Sequence, residues 1–302
     1  MSESLLLVIG GPTASGKTGL SIALAKELGC QILSSDSRQF YQEMNIGTAK
    51  PTKAELQQAQ HHFIDHLSIH DNYSVGQYER DALRILEDCF AIHPFAIMVG
   101  GTGLYAKAVM NGLDHFPKVP DDIKSKWRSL SENNGIQFLQ DALFEVDPDY
   151  HKIVDLHNPH RLIRALSVTE SSGLPFSSFL RQQEHPRPFQ TLRIAIIPER
   201  ESLYGRINNR VDRMILDGLI DEAKALYPHR HLQSLNTVGY KELFKCFDRE
   251  WSESHAIDKI KQHTRNYAKR QYTWFKNQGD WHEQSNWEVD EILSLVSAKN
   301  FS

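Results

Sequence analysis

The chain has 302 residues, 40% hydrophobic and 24% charged, with a formal net charge of −4. This is the composition of a globular protein with one large or two modest domains, and not that of a globally basic nucleic-acid binder. No apolar run approaches the roughly eighteen residues of a membrane helix. Cys30, Cys89 and Cys246 form no CxxC pair, so neither a disulfide framework nor a zinc site is expected, and a reducing cytoplasm fits.

Leu5 to Ile9, LLLVI, reads as a buried first strand and not as a signal peptide: no basic segment precedes it and a glycine-rich loop follows. Thr18 to Leu28 has helical spacing and stops at Gly29. Gln31 to Ser34 is a second strand, with DSRQFY directly after it. Val75 to Ile92 is an amphipathic helix followed by Pro94. Phe95 to Val99, FAIMV, is a third buried strand that runs into GGTGLY. Short apolar strands alternating with helices predict an α/β fold, a P-loop-type parallel sheet with helices on both faces. From Asp114 to Phe189 no buried strand is predicted, and charges and prolines are frequent. This segment is expected to be a mostly helical insertion (114–189) in a core made of 1–113 and 190–302. Leu192 to Ile197 returns to the strand pattern, and helical sequence follows to the end.

The strongest local signal is Gly11-x-x-x-x-Gly16-Lys17-Thr18 between a strand and a helix, the pattern of a phosphate-binding loop. Glycines let backbone amides point at an anion, the helix start adds partial positive charge, Lys17 adds a full one, and the Thr18 hydroxyl can ligate Mg²⁺. The loop alone suggests an ATP or GTP user. A nucleoside-triphosphatase, however, carries a metal-binding Asp at the end of another core strand. Here FAIMV ends in Gly100-Gly101-Thr102, and the carboxylate is Asp36, after the second strand. Asp36 is either a metal or proton acceptor or a turn residue. Thr102 lies where open α/β sheets bind ligands, unless its glycines only make a turn. Arg206, Arg210 and Arg213 either aim at a pyrophosphate or form a solvated face. His61, His62, His66 and His70 lack the partners of a metal site, and a structural role is expected. Lys259 to Gly279 holds six Lys/Arg and no Asp or Glu, interleaved with Tyr267, Tyr272, Trp274 and Phe275. That mixture suits RNA, or the aromatics are a helix's core face.

Taken in order, GPTASGKT, DSRQFYQEMNIGTAKP, HHFID, YSVGQYERDA, GGTGLYAKAV, NPHRLIRAL, TVGYKEL and YAKRQYTWF resemble the bacterial tRNA dimethylallyltransferases (tRNA isopentenyltransferases, the IPP transferase family) over nearly the whole chain. The DSRQ and IGTAKP stretch is the most specific part. Gln60 departs from the family, which usually has proline there. No C-terminal Cys/His zinc finger is seen, as in the bacterial form.

The resemblance implies that the loop binds the diphosphate of dimethylallyl diphosphate with Mg²⁺, not ATP. The dimethylallyl group then goes to N6 of the adenosine beside the anticodon, position 37, in tRNAs reading codons that begin with U. The leaving diphosphate is assigned to Gly11, Pro12, Thr13, Ala14, Ser15, Gly16, Lys17 and Thr18, aided by Arg210, with Thr18 on the metal. Asp36 bonds N6 and takes its proton, Thr102 sits at the reacting centre, and Ser37, Arg38 and Gln39 meet the base. In the insertion, Lys124 and His160, Arg161, Leu162, Ile163 and Arg164 match contacts to the anticodon stem-loop. Gly239, Tyr240, Lys241, Lys269 and Arg270 are expected to add others. A monomer is expected, with tRNA as its large partner. The alternatives are an adenylate isopentenyltransferase acting on free nucleotide, a small-molecule kinase, and a non-enzymatic RNA-binding module. The insertion and the basic stretch argue against the first, the second is suggested by the phosphate loop alone and would show as ATP hydrolysis or phosphoryl transfer, and the third leaves Asp36 and Thr102 without a role.

Overall fold

The computed structural model describes residues 4–180 and 186–299. The first part of the chain runs β1 (Leu5–Gly10), α1 (Lys17–Leu28), β2 (Ile32–Ser34), α2 (Lys53–Leu56), β3 (His61–His62), α3 (Val75–Ile92), β4 (Phe95–Val99) and α4 (Gly103–Asn111). Then come α5 (Asp121–Val146), α6 (Pro148–His151), α7 (Pro159–Ser172), β5 (Gln190–Ile196), α8 (Arg200–Leu216), α9 (Leu219–Leu226), α10 (Tyr240–Phe247), α11 (Glu253–Asn277), β6 (His282–Gln284) and α12 (Val289–Lys299).

The six strands form one parallel sheet in the order β3-β2-β4-β1-β5-β6. Side chains of a strand alternate between faces, and β1 divides accordingly. Leu5, Leu7 and Ile9 pack with Ile22, Leu24 and Ala25 of α1 and with Ile292 and Val296 of α12. Leu6 and Val8 pack with Tyr78, Ala82 and Leu86 of α3 and with Ala106 and Val109 of α4. Helices therefore cover both faces, as the unalternating apolar strands predict. Two strands lie outside the prediction. His61 and His62 form the short edge strand β3, where His62 Nε2 meets Gln31 Oε1 at 2.6 Å and His61 Nδ1 meets the Ala59 carbonyl at 2.8 Å. β6, expected as helix, is fully exposed and has no apolar residue; its partner β5 makes it a strand.

The chain divides into two compact units, Met1–Asn111 with Pro186–Ser302, and Gly112–His185. The smaller unit has no strand among its described residues. Its core sets Leu139 and Leu143 of α5 against Leu162, Ala165, Leu166 and Val168 of α7. The buried Asp147 caps α6 through the Tyr150 amide (3.0 Å). It also takes the Ser177 amide and hydroxyl (2.7 Å each), so no charge is left unpartnered in that core.

Candidate active site

Register builds the site. Ile9 of β1 and Ser34 of β2 both lie opposite Val99 of β4, and Gly10 lies opposite Ala195. The loops GPTASGKT, DSRQ and GGTG, far apart in sequence, therefore leave the sheet at one edge, at the carboxyl ends of parallel strands where ligands bind. The Ser35 amide donates to the Val99 carbonyl at 2.8 Å and fixes the second loop against the third.

The phosphate loop has the backbone its sequence predicts. Gly11 has φ 142°, and a Cβ there would lie 2.5 Å from the Ile196 carbonyl oxygen, so only glycine fits. Lys17 folds back over the loop, its Nζ donating to the carbonyls of Gly11 (2.9 Å) and Pro12 (2.6 Å). Burial, and then the Arg210 guanidinium, bring its ammonium down to about 7, against the opposing pull of Asp36. Burial also lowers the Arg210 guanidinium, again against Asp36. Arg210 donates to the Thr13 hydroxyl at 3.0 Å. It is the one arginine of the predicted three that lines the phosphate-loop cavity; Arg206 is exposed, and Arg213 lines a neighbouring groove, 3.8 Å from Asp217.

Two cavities meet here. One, of about 150 Å³, is ringed by the loop from Thr13 to Thr18 with Ser34, Gln39 and Gly101. The second, of about 310 Å³, is lined by Ser37, Arg38, Thr102, Asn236, Gly239, Lys241 and Arg270, among others. They share Thr13, Asp36, Thr48, Ala49, Arg210 and Tyr267. Asp36 Oδ1 accepts the Arg38 amide at 3.0 Å, so the carboxylate does form a turn, and it also faces both cavities. Arg38 is anchored by donating to the Ser234 carbonyl at 2.7 Å, and Gln39 by donating to those of Thr48 and Ala49. The IGTAKP loop is pinned by Glu222 of α9, which accepts the amides of Asn45, Ile46 and Gly47 at 2.8–2.9 Å.

From α11 come Gln271, which the sequence does not single out, and Tyr267, which it marks as an RNA-stacking or core-face aromatic. Gln271 is buried; its Oε1 accepts the Thr13 amide at 2.9 Å and its Nε2 donates to the Gly101 carbonyl at 2.8 Å. The Thr13 amide is therefore committed to the protein, which corrects its assignment to an anion; the amides of the loop's helix start remain. Tyr267, one turn earlier, lines the second cavity together with Thr102. Only a helix phase that brings every fourth residue to one face could have flagged this pair. A Cβ on Gly101 would lie 2.2 Å from Gln271 Nε2. Gly101→Ala is expected to cost about 1–3 kcal/mol, since the displaced amide loses both bonds. A urea midpoint equal to that of the unsubstituted protein would show that Gln271 needs no such space.

Other predicted residues separate. In the smaller unit, Lys124, His160, Ile163 and Arg164 line one groove of about 390 Å³ with Arg128, and the buried Ser167 hydroxyl in it has no hydrogen-bond partner. Arg161 is exposed but outside that groove. Leu162 is fully buried in that unit's core, and this corrects it as a contact. Tyr240 is corrected likewise: it is fully buried beneath Gly47, with its hydroxyl on Glu222 at 2.7 Å. Lys269 and Arg270 are exposed on α11. Its other cations turn elsewhere: Lys261 pairs with Asp212, Arg265 donates to Asn208, and Lys276 meets Tyr272. Phe275 is core. Among the described residues no three His, Cys, Asp or Glu side chains converge on a metal-sized site. No helix among them is long and apolar enough to cross a membrane.

The family model described as IPP transferase matches residues 39–278. A tRNA dimethylallyltransferase of Christiangramia forsetii is 52% identical, over 91% of each chain. One from Flavobacterium psychrophilum is 46% identical, over 97% of this chain and 98% of its own. The solved tRNA isopentenylpyrophosphate transferase of Bacillus halodurans is 34% identical with a TM-score of 0.72, over 99% of this chain and 97% of that one. A eukaryotic dimethylallyltransferase, solved acting on tRNA, is 25% identical with a TM-score of 0.81, over 98% and 79%.

Proposed function

The chain belongs to the IPP transferase family, and from that premise we propose that it moves the dimethylallyl group of dimethylallyl diphosphate to N6 of an adenosine beside the anticodon of tRNA, releasing diphosphate. The observation that carries this reading is the shared wall of the two cavities. One cavity is walled by a phosphate loop, the other by Ser37, Arg38, Thr102 and Arg270 among others, and Asp36 lines both.

The exocyclic amine of adenine is a weak nucleophile, because its lone pair is delocalised into the ring. The allylic carbon compensates by taking on positive charge as its C–O bond breaks, so catalysis rests on holding the leaving group and placing the amine in line. Lys17, Arg210 and the amides at the start of α1 hold the diphosphate. Asp36 hydrogen-bonds the N6–H and accepts its proton. Thr102, in the cavity wall with Tyr267, borders the reacting carbon. The Thr18 hydroxyl in the cavity wall is an oxygen donor of the kind Mg²⁺ takes, and would help hold the ion, which would neutralise leaving-group charge. The target base must leave its stack to reach such a cleft. Lys124 and Arg164 in the smaller unit, and Lys269 and Arg270 on α11, supply cations for the RNA backbone, and His160 lies beside Lys124 and Arg164 in the same groove.

The test supplies radiolabelled dimethylallyl diphosphate and Mg²⁺ to the protein with unmodified tRNA or AMP. Label is expected in tRNA and not in AMP. Label in AMP would make the protein an adenylate isopentenyltransferase, and label in neither would overturn the reading.

A further inference from the structure

Tyr267 is the one aromatic residue in the wall that the two cavities share. It is 37% exposed, on a helix whose neighbouring aromatic Phe275 is fully packed in the core. It lines the second cavity with Thr102, and the Arg270 guanidinium of the same helix lies 5.7 Å from its ring centroid. The ring therefore stands beside Asp36 and Arg210 in the wall that faces both the diphosphate side and the base side of the cleft. Resting on the transfer reading above, we infer that the Tyr267 ring shields the allylic carbon from water, so that the carbon is captured by N6 and not hydrolysed.

The competing reaction is balanced without a further reagent. The C1–O bond to diphosphate breaks, a water oxygen bonds to C1, and the water's proton passes to solvent or to the departing diphosphate, giving dimethylallyl alcohol. A tyrosine so near an electrophile is also at risk of alkylation, and the phenol is kept neutral: burial and then the Asp36 charge push it up to about 12. A ring of this kind excludes water by size and offers no anionic oxygen to the cation.

The experiment measures labelled alcohol and labelled tRNA together, in wild type, Tyr267→Phe, Tyr267→Ala and Tyr267→Ser. Tyr267→Phe keeps the ring and is expected to hold the alcohol-to-tRNA ratio within about threefold of wild type. Tyr267→Ala and Tyr267→Ser lose it, and the ratio should rise about tenfold or more. A purely structural role would lower both products together and leave the ratio flat, which would overturn the inference. An equal rise in Tyr267→Phe would also overturn it, by assigning the effect to the hydroxyl. Should one truncation fail to fold by circular dichroism, the other decides. Wild type that labels no tRNA removes the premise and overturns the inference with it, and is distinguished from a flat ratio by wild-type activity.

Discussion

Asp36→Ala is expected to lower the rate of transfer to tRNA about a thousandfold while leaving tRNA affinity within a few-fold. The carboxylate lies in the wall common to both cavities, and its charge acts on Lys17, Arg210 and Tyr267. In the proposed transfer, removing it would take away the proton acceptor for N6, and it also removes the turn bond to the Arg38 amide. Asp36→Asn separates the two losses, because its amide oxygen still accepts from Arg38 and cannot take a proton. Single-turnover transfer with saturating tRNA should therefore fall in both variants, whereas the melting temperature should fall in Ala only. Transfer in Asp36→Asn within about tenfold of wild type would reduce Asp36 to a turn residue and leave diphosphate or water as the base.

Lys17→Ala should weaken diphosphate binding and slow transfer by about 10²–10³, the usual loss for one preorganised donor at a developing charge. The same residue makes binding depend on pH. In the free protein Lys17 sits at about 7, held down by burial and by Arg210. Below that pH the ammonium is present and meets the anion directly. As pH rises through 7 it is lost, so diphosphate affinity should fall. Bound diphosphate stabilises the charged form and raises its pKa, so binding between about pH 7 and 8.5 must take up a proton. Titration calorimetry in buffers of differing ionisation enthalpy reads that uptake, and Lys17→Ala should abolish it. Equal uptake in the variant would place the proton elsewhere.

The linkage has a consequence for stability. Folding lowers the lysine's pKa from its ordinary 10.5, so the unfolded chain binds more protons between about 7 and 10.5. Stability from this group therefore increases with pH across that window, and the cost of burying the charge is fully present below it.

The local elements were legible in the sequence because their causes are local. Unbroken apolar runs at 5–9 and 95–99 can only be strands buried on both faces. Val75–Ile92 keeps one apolar stripe and carries its own capping box at Ser74 and Gln77. The phosphate loop was legible because its glycine spacing is a demand of its backbone, as at Gly11. Asp36 and Thr102 were legible as strand-end residues, since a parallel sheet sends its carboxyl ends to one edge. What only the tertiary structure decided lies on the later helices, where function depends on phase and on packing across more than 150 positions. Arg206, Arg210 and Arg213 have like chemistry, and the rotation of α8 chose Arg210. Leu162 and Tyr240 stand inside functional-looking motifs, yet each points into a core. Gln271 and Tyr267 lay in a stretch marked by its charge, but it is the uncharged Gln271 of α11 that bonds Thr13 and Gly101. A contact between residues 258 apart leaves no local trace in either of them, because each is satisfied only once the sheet has brought the other to it.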